Sequence, residues 1–107
     1  MKSRAMNEDL IYVNFNRIMR MVAAEFGISY RELSDPTRRQ AVADARGMCM
    51  YIFKRANVIS DEMTGQIFNR RRTTVVHAHR NMAEQLEFNP SMRRHYENIV
   101  NRISGKC

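Results

Sequence analysis

Apolar positions recur at helical spacing from one end of the chain to the other. Ile11, Phe15, Ile18, Val22 and Phe26 step by four, three, four and four, which sets them on one helical face, and Gly27 offers a stop. The pattern predicts a helix over 7–26. Ser29-Tyr-Arg-Glu32 has the form of a capping box, in which the serine oxygen and the glutamate carboxylate satisfy each other's free backbone donors, and predicts a short helix ending near Ser34. Beyond the Asp35-Pro36 break, Val42, Ala45, Cys49, Ile52 and Ala56 predict a third helix over 40–56, with Arg39, Arg46 and Arg55 off the seam.

Ser60-Asp61-Glu62 reads as an N-cap followed by two acids where the helix dipole favours negative charge. It opens a helix of about nine residues that ends near Asn69 and turns Met63 and Ile67 inward. Val75, His79, Met82 and Leu86, widened by Val76 and Ala83, predict a fifth helix over 72–87. Asn89-Pro90 then marks a stop and a restart, and Met92, Tyr96, Ile99 and Ile103 form the last stripe. No sustained period-two alternation appears, so the expected fold class is all-α with about six helices.

Composition narrows the class. The 107 residues, 44% hydrophobic and 27% charged, suit one globular domain with a modest core. No run approaches the roughly 20 apolar residues of a membrane span, and the N-terminus lacks the apolar stretch of a signal peptide. A cytoplasmic location without membrane contact is expected. Cys49 and Cys107 have no metal-ligand spacing. Cys49 reads as a small core residue and Cys107 as a free thiol. His77 and His79 point about 200° apart on a helix and cannot share one metal ion. Most of the nine methionines, Met48, Met63 and Met82 among them, read as core filling. No nucleophile is paired with a base at recognisable spacing, which argues against an enzyme. A Gly-rich phosphate loop is also missing, so neither cofactor nor nucleotide is expected.

Charge changes the picture more. The net charge is +7, and the excess lies after Asp35: residues 36–89 carry nine basic groups against five acidic, and residues 90–107 four against one. Such a balance attracts polyanions, nucleic acid first. Its focus is Asn69-Arg-Arg-Arg-Thr-Thr74, between two predicted helices. A short helix, a tight turn and an amphipathic helix opening on arginines and hydroxyls describe a helix-turn-helix over 60–87. An arginine fork can bond guanine O6 and N7, a threonine methyl can pack on thymine, and a helix N-terminus binds phosphate.

From about Ile18 to Ile103, roughly four fifths of the chain, the sequence resembles the C-terminal DNA-binding domain of the bacterial replication initiator DnaA. Val22-Ala-Ala-Glu-Phe-Gly-Ile28 matches the family's valine-alanine-glutamate helix. Val42-Ala-Asp-Ala-Arg-Gly-Met48 stands against VARPRQM, and Thr73-Thr-Val-Val-His-Ala-His-Arg80 against HTTVLHACRK. The resemblance implies a helical domain, with residues 18–89 as its core, that binds double-stranded DNA. It places Arg46, Thr73, Thr74 and His77 against DNA, with Arg38 and Lys54 as phosphate or groove contacts. Arg70, Arg71 and Arg72 join them from the turn chemistry.

Three departures stand out. The family's Gly-Gly-Arg-Asp-His before the threonines is here Asn69-Arg-Arg-Arg72, one residue shorter and without the acid and histidine that help read the origin box. Ala45 and Gly47 replace the proline and glutamine of the PRQ segment, which frees the third helix to begin earlier. The family's nucleotide-binding region has no counterpart in the sequence. The expected function is therefore sequence-specific DNA binding in replication or transcription regulation, with a homodimer or a replication protein as further partner. Residues 1–17 extend the first helix, and 90–107 form the C-terminal one. The alternative is a protein-docking adaptor, or a nonspecific RNA or DNA binder.

Overall fold

A computed structural model describes residues 4–36 and 39–103, with side chains from Phe15 onward. Among these residues lie five α-helices and one 3-10 turn, and no strand. They are α1 (Arg4–Glu25), the 3-10 turn (Arg31–Ser34), α2 (Gln40–Arg55), α3 (Asp61–Phe68), α4 (Arg72–Phe88) and α5 (Pro90–Ile103). The all-α expectation holds. The predicted second helix is the 3-10 turn: Pro36 disfavours the helical region for the residue before it, and Asp35 is extended at φ −72°, ψ 147°. The capping box is present there, with Ser29 N donating to Glu32 Oε1 at 2.8 Å and Glu32 N to Ser29 Oγ at 3.2 Å.

Three helices end in one motif. After α1, Gly27 takes φ +69°, and the amides of Gly27 and Ile28 reach back to the carbonyls of Ala24 and Ala23. Asn57 and Asn69, at φ 55° and 56°, finish α2 and α3 in the same way, with Val58 N on Phe53 O at 2.9 Å and Arg70 N on Gly65 O at 2.8 Å. Asparagine tolerates this left-handed geometry almost as glycine does.

Helix α2 is central, with α1, the 3-10 turn, α3 and α4 packed on it, while α5 covers α1 and α4. Val42, Ala45, Met48, Cys49 and Phe53 of α2 are fully buried together with Val22, Leu33, Phe68, Val75 and Ile99. Burial of each large side chain contributes about 1.5–3 kcal/mol. Phe53 joins three helices, meeting Phe15 edge-on at 5.6 Å between ring centres and Phe68 at 6.4 Å. Burial also pushes the Cys49 thiol well above its ordinary value.

Helix α5 is latched to the end of α1. Glu25 Oε2 lies 2.9 Å from His95 Nδ1 and accepts from Asn98 Nδ2 at 3.0 Å. Burial alone would raise the Glu25 carboxyl, but the bonds from Asn98 and His95 and the charges of His95 and Arg102 outweigh it and leave the group below its usual value.

Three expected core positions shift, the first being Ala56, which is exposed just past the end of α2. Met63 is 41% exposed, because eight-residue α3 turns Thr64, Gly65 and Phe68 inward and Ile67 is only half-buried. Ala83 is exposed on α4, where Val75, His79 and Met82 form the buried seam. Met48 and Met82 are core residues as expected. Arg38 and Cys107 lie outside the described residues.

Candidate nucleic-acid interface

The junction of α3 and α4 is a three-residue turn, Asn69 to Arg71. It is held close to α3 by an absent side chain: a Cβ on Gly65 would stand 2.6 Å from the Arg70 carbonyl oxygen, inside any tolerable contact. At the other end of α3, Ser60 caps through Oγ, accepting from Met63 N at 3.1 Å, and Thr64 Oγ1 donates to Ser60 O at 2.8 Å. Helix α3 is thereby capped at its start and packed against the turn at its end.

The three arginines differ in state. Arg70 is half-buried, and its Nη1 donates to the carbonyls of Phe68 at 2.9 Å and Asn69 at 3.2 Å. It seals the end of α3 as it contributes charge. Arg71 and Arg72 are exposed. Arg71 occupies the N-cap position of α4 with extended backbone and no side-chain cap bond, and no acid stands in the first turn. The opening amides of α4, which carry the positive end of its dipole, are left facing outward among cations.

Thr73, Thr74 and His77 are exposed on the same helix. A groove between the start of α3 and α4 brings Lys54, Arg72, Thr73 and His77 together, with Asp61 and Arg80 also in its lining. A second depression is lined by Glu62, Gln66 and Asn69 together with Arg70, Arg71 and Arg72. Arg72 borders both, whereas Thr74 lines neither. Lys54 Nζ lies 3.7 Å from Asp61 Oδ2, but its side chain is 58% exposed, so the pair holds it weakly.

Arg46 departs from the reading that set it off the seam. It is 9% exposed, with Nε donating to Leu33 O at 2.9 Å and Nη2 to Asp35 O at 2.7 Å. The side chain straps the 3-10 turn and the proline break onto α2. Burial, then the nearby charge of Arg70, pulls its guanidinium below the ordinary value, and Asp35 opposes the shift. Arg46 and Arg70 therefore stand close enough to act on each other, which their sequence separation does not announce.

His79 borders the groove as well. It is buried at the boundary, as its stripe predicts, yet Nε2 has no hydrogen-bond partner and lies 3.3 Å from Asp61 Oδ1. The sequence did not single out Asp61 or Arg80 as groove residues, although Arg80 closes the family match. Arg80 follows Thr73 and His77 at i+7 and i+3, a spacing that marks a shared helical face. Among the described residues no helix is long and apolar enough to cross a membrane.

Comparison with known proteins agrees with this geometry. The family model described as the bacterial dnaA protein helix-turn-helix matches residues 15–82. The chromosomal replication initiator protein DnaA of Nitrosomonas eutropha is 29% identical over 94 residues, covering 87% of this chain and 20% of that protein. The DnaA of Clavibacter sepedonicus is 32% identical over 87 residues, covering 80% of this chain and 18% of that protein. The chain spans about a fifth of the length of these curated relatives. With most of its core and the whole α3–α4 turn inside the match, the chain belongs to the bacterial DnaA helix-turn-helix family.

Proposed function

We propose that this chain binds double-stranded DNA in a sequence-specific manner through the start of α4, and acts in the regulation of replication or transcription. One observation carries the reading. The first turn of α4 is uncapped and free of acids, and it projects exposed Arg71, Arg72, Thr73 and Thr74 from a turn clamped against Gly65. In a helix-turn-helix these are the positions that meet base edges in the major groove. Arg71 and Arg72 suit guanine, and the threonine methyls suit thymine. Lys54 and His77 flank them as phosphate contacts, while Arg46 and Arg70 hold the adjoining loops and add positive potential. Because the turn is one residue shorter than the family's and lacks its acid and histidine, its preferred site differs from the origin box.

Selection of bound duplexes from a random library at ~0.15 M salt tests this. The expected result is one enriched motif, with Arg71→Ala or Arg72→Ala costing about 1–3 kcal/mol at particular G·C pairs. Binding without enrichment, falling steeply with salt, would reduce the protein to a backbone binder. No binding to any duplex would overturn the reading.

A further inference from the structure

Helix α4 carries a stripe that changes sign halfway. Thr73, His77, Arg80, Glu84 and Glu87 follow one another by four, three, four and three, and all are exposed. Such spacing aligns them along one line of the helix. A depression lined by His77, Arg80, Asn81, Glu84 and Glu87 continues the groove that holds Lys54, Arg72 and Thr73, and His77 and Arg80 belong to both. Arg80 is thus the last cation of the line, and Glu84 the first acid.

Several arginines are already committed within the protein. Arg39 pairs with Glu32, Arg46 and Arg70 bond carbonyls, Arg93 bonds the end of α4, and Arg20 lies over the Tyr30 ring. Arg80 makes no hydrogen bond or ion pair among the described residues, although Glu84 is its i+4 neighbour.

Helix rise supplies the scale. At about 1.5 Å per residue, Arg80 stands roughly 10 Å along the axis from Thr73, and Glu84 roughly 16 Å. The major groove is about 12 Å wide. With the start of α4 on the base edges, Arg80 arrives at the groove wall, where the phosphates are, and Glu84 lies beyond it.

Resting on the DNA-binding reading above, we propose that Arg80 is a phosphate contact and that Glu84 ends the DNA footprint on α4 by repelling the backbone. Only the N-terminal half of the helix enters the groove. Arg80 then adds affinity without sequence preference, since phosphates are common to every site.

Equilibrium binding of the full chain, Arg80→Gln and Glu84→Gln to the selected duplex and to a scrambled one, across a salt series, tests the proposal. Both side chains are exposed and unbonded, and circular dichroism checks that the helices persist. Arg80→Gln should weaken both duplexes equally, by about tenfold at low salt, and should reduce the slope of log affinity against log salt by about 0.9. Glu84→Gln should bind at least as tightly as the parent. Unchanged affinity and slope in Arg80→Gln, beside a parent that binds steeply, would overturn the phosphate role. A loss confined to the selected duplex would overturn it too, by making Arg80 a base reader, and weaker binding by Glu84→Gln would overturn the boundary. A parent that binds neither duplex fails the functional reading itself, which is a different result from any of these.

Discussion

At its C-terminal end α4 is sealed: Arg93 Nε donates to Leu86 O at 2.9 Å and Nη2 to Glu87 O at 2.8 Å, satisfying carbonyls that a helix end leaves open. The next residue, Asn89, then caps α5, its Oδ1 accepting from the amides of Ser91 and Met92. At its N-terminal end the same helix opens on Arg71, with no cap and no acid. A side chain of serine or aspartate type would have closed that end, as Ser60 closes α3. One end is finished from within the protein, and the other leaves its opening amides without a side-chain cap. Under the proposed function, that difference separates the part of the molecule that maintains the fold from the part that meets DNA.

Three substitutions break or sharpen the contrast, beginning with the largest effect. Gly65→Ala places a methyl against the Arg70 carbonyl oxygen, a backbone atom that cannot swing aside. Denaturant unfolding should show a loss of about 3 kcal/mol, and DNA affinity should fall as the turn is displaced. An unchanged midpoint would show that the turn is not clamped there. Arg93→Ala removes two charge-assisted bonds from the sealed end and should lower stability by about 2 kcal/mol. Its DNA affinity, measured well below the unfolding midpoint, should equal the parent's, and a matching loss of affinity would blur the two ends into one unit. Arg71→Ser supplies the missing cap and should raise stability by about 1 kcal/mol while weakening DNA binding. A variant that gained stability and kept its affinity would show that the open end serves no ligand.

Much of the fold was legible because its signals are local. The stripe of Val75, His79 and Met82 fixed the buried seam of α4, and Ser29 with Glu32, and Ser60 with Met63, closed helix starts as their spacing implied. Asn57 and Asn69 were harder to read, since only glycine gives an unambiguous signal for the left-handed stop they adopt. Met63 misled because α3 is too short for apolar periodicity to outvote Thr64 and Gly65 at the contact with α4.

For the candidate site, the sequence offers the residue types but not which of the cations are held. Arg70, Arg71 and Arg72 are chemically identical neighbours, yet Arg70 turns back to the α3 carbonyls while the other two stay exposed. Arg46 read as an off-seam residue facing DNA and is a strap across a break 11 and 13 residues upstream. Arg80 closes the Thr73–Arg80 family match, yet an arginine on an outward helical face does not by itself indicate a groove. Its meaning comes from the groove it shares with Lys54 and Thr73.

The sequence by itself determined the all-helical class, the positions of the breaks and the basic turn before α4, because periodicity, capping and proline act within about four residues of chain. Only the tertiary structure decided which cations are held and which stand open. The partners of Arg46 and of Glu25, the latter bonded to His95 and Asn98 some 70 and 73 residues away, are brought into reach by helix packing. A guanidinium that finds a buried carbonyl is fixed there, since leaving either group unpaired inside the protein is costly.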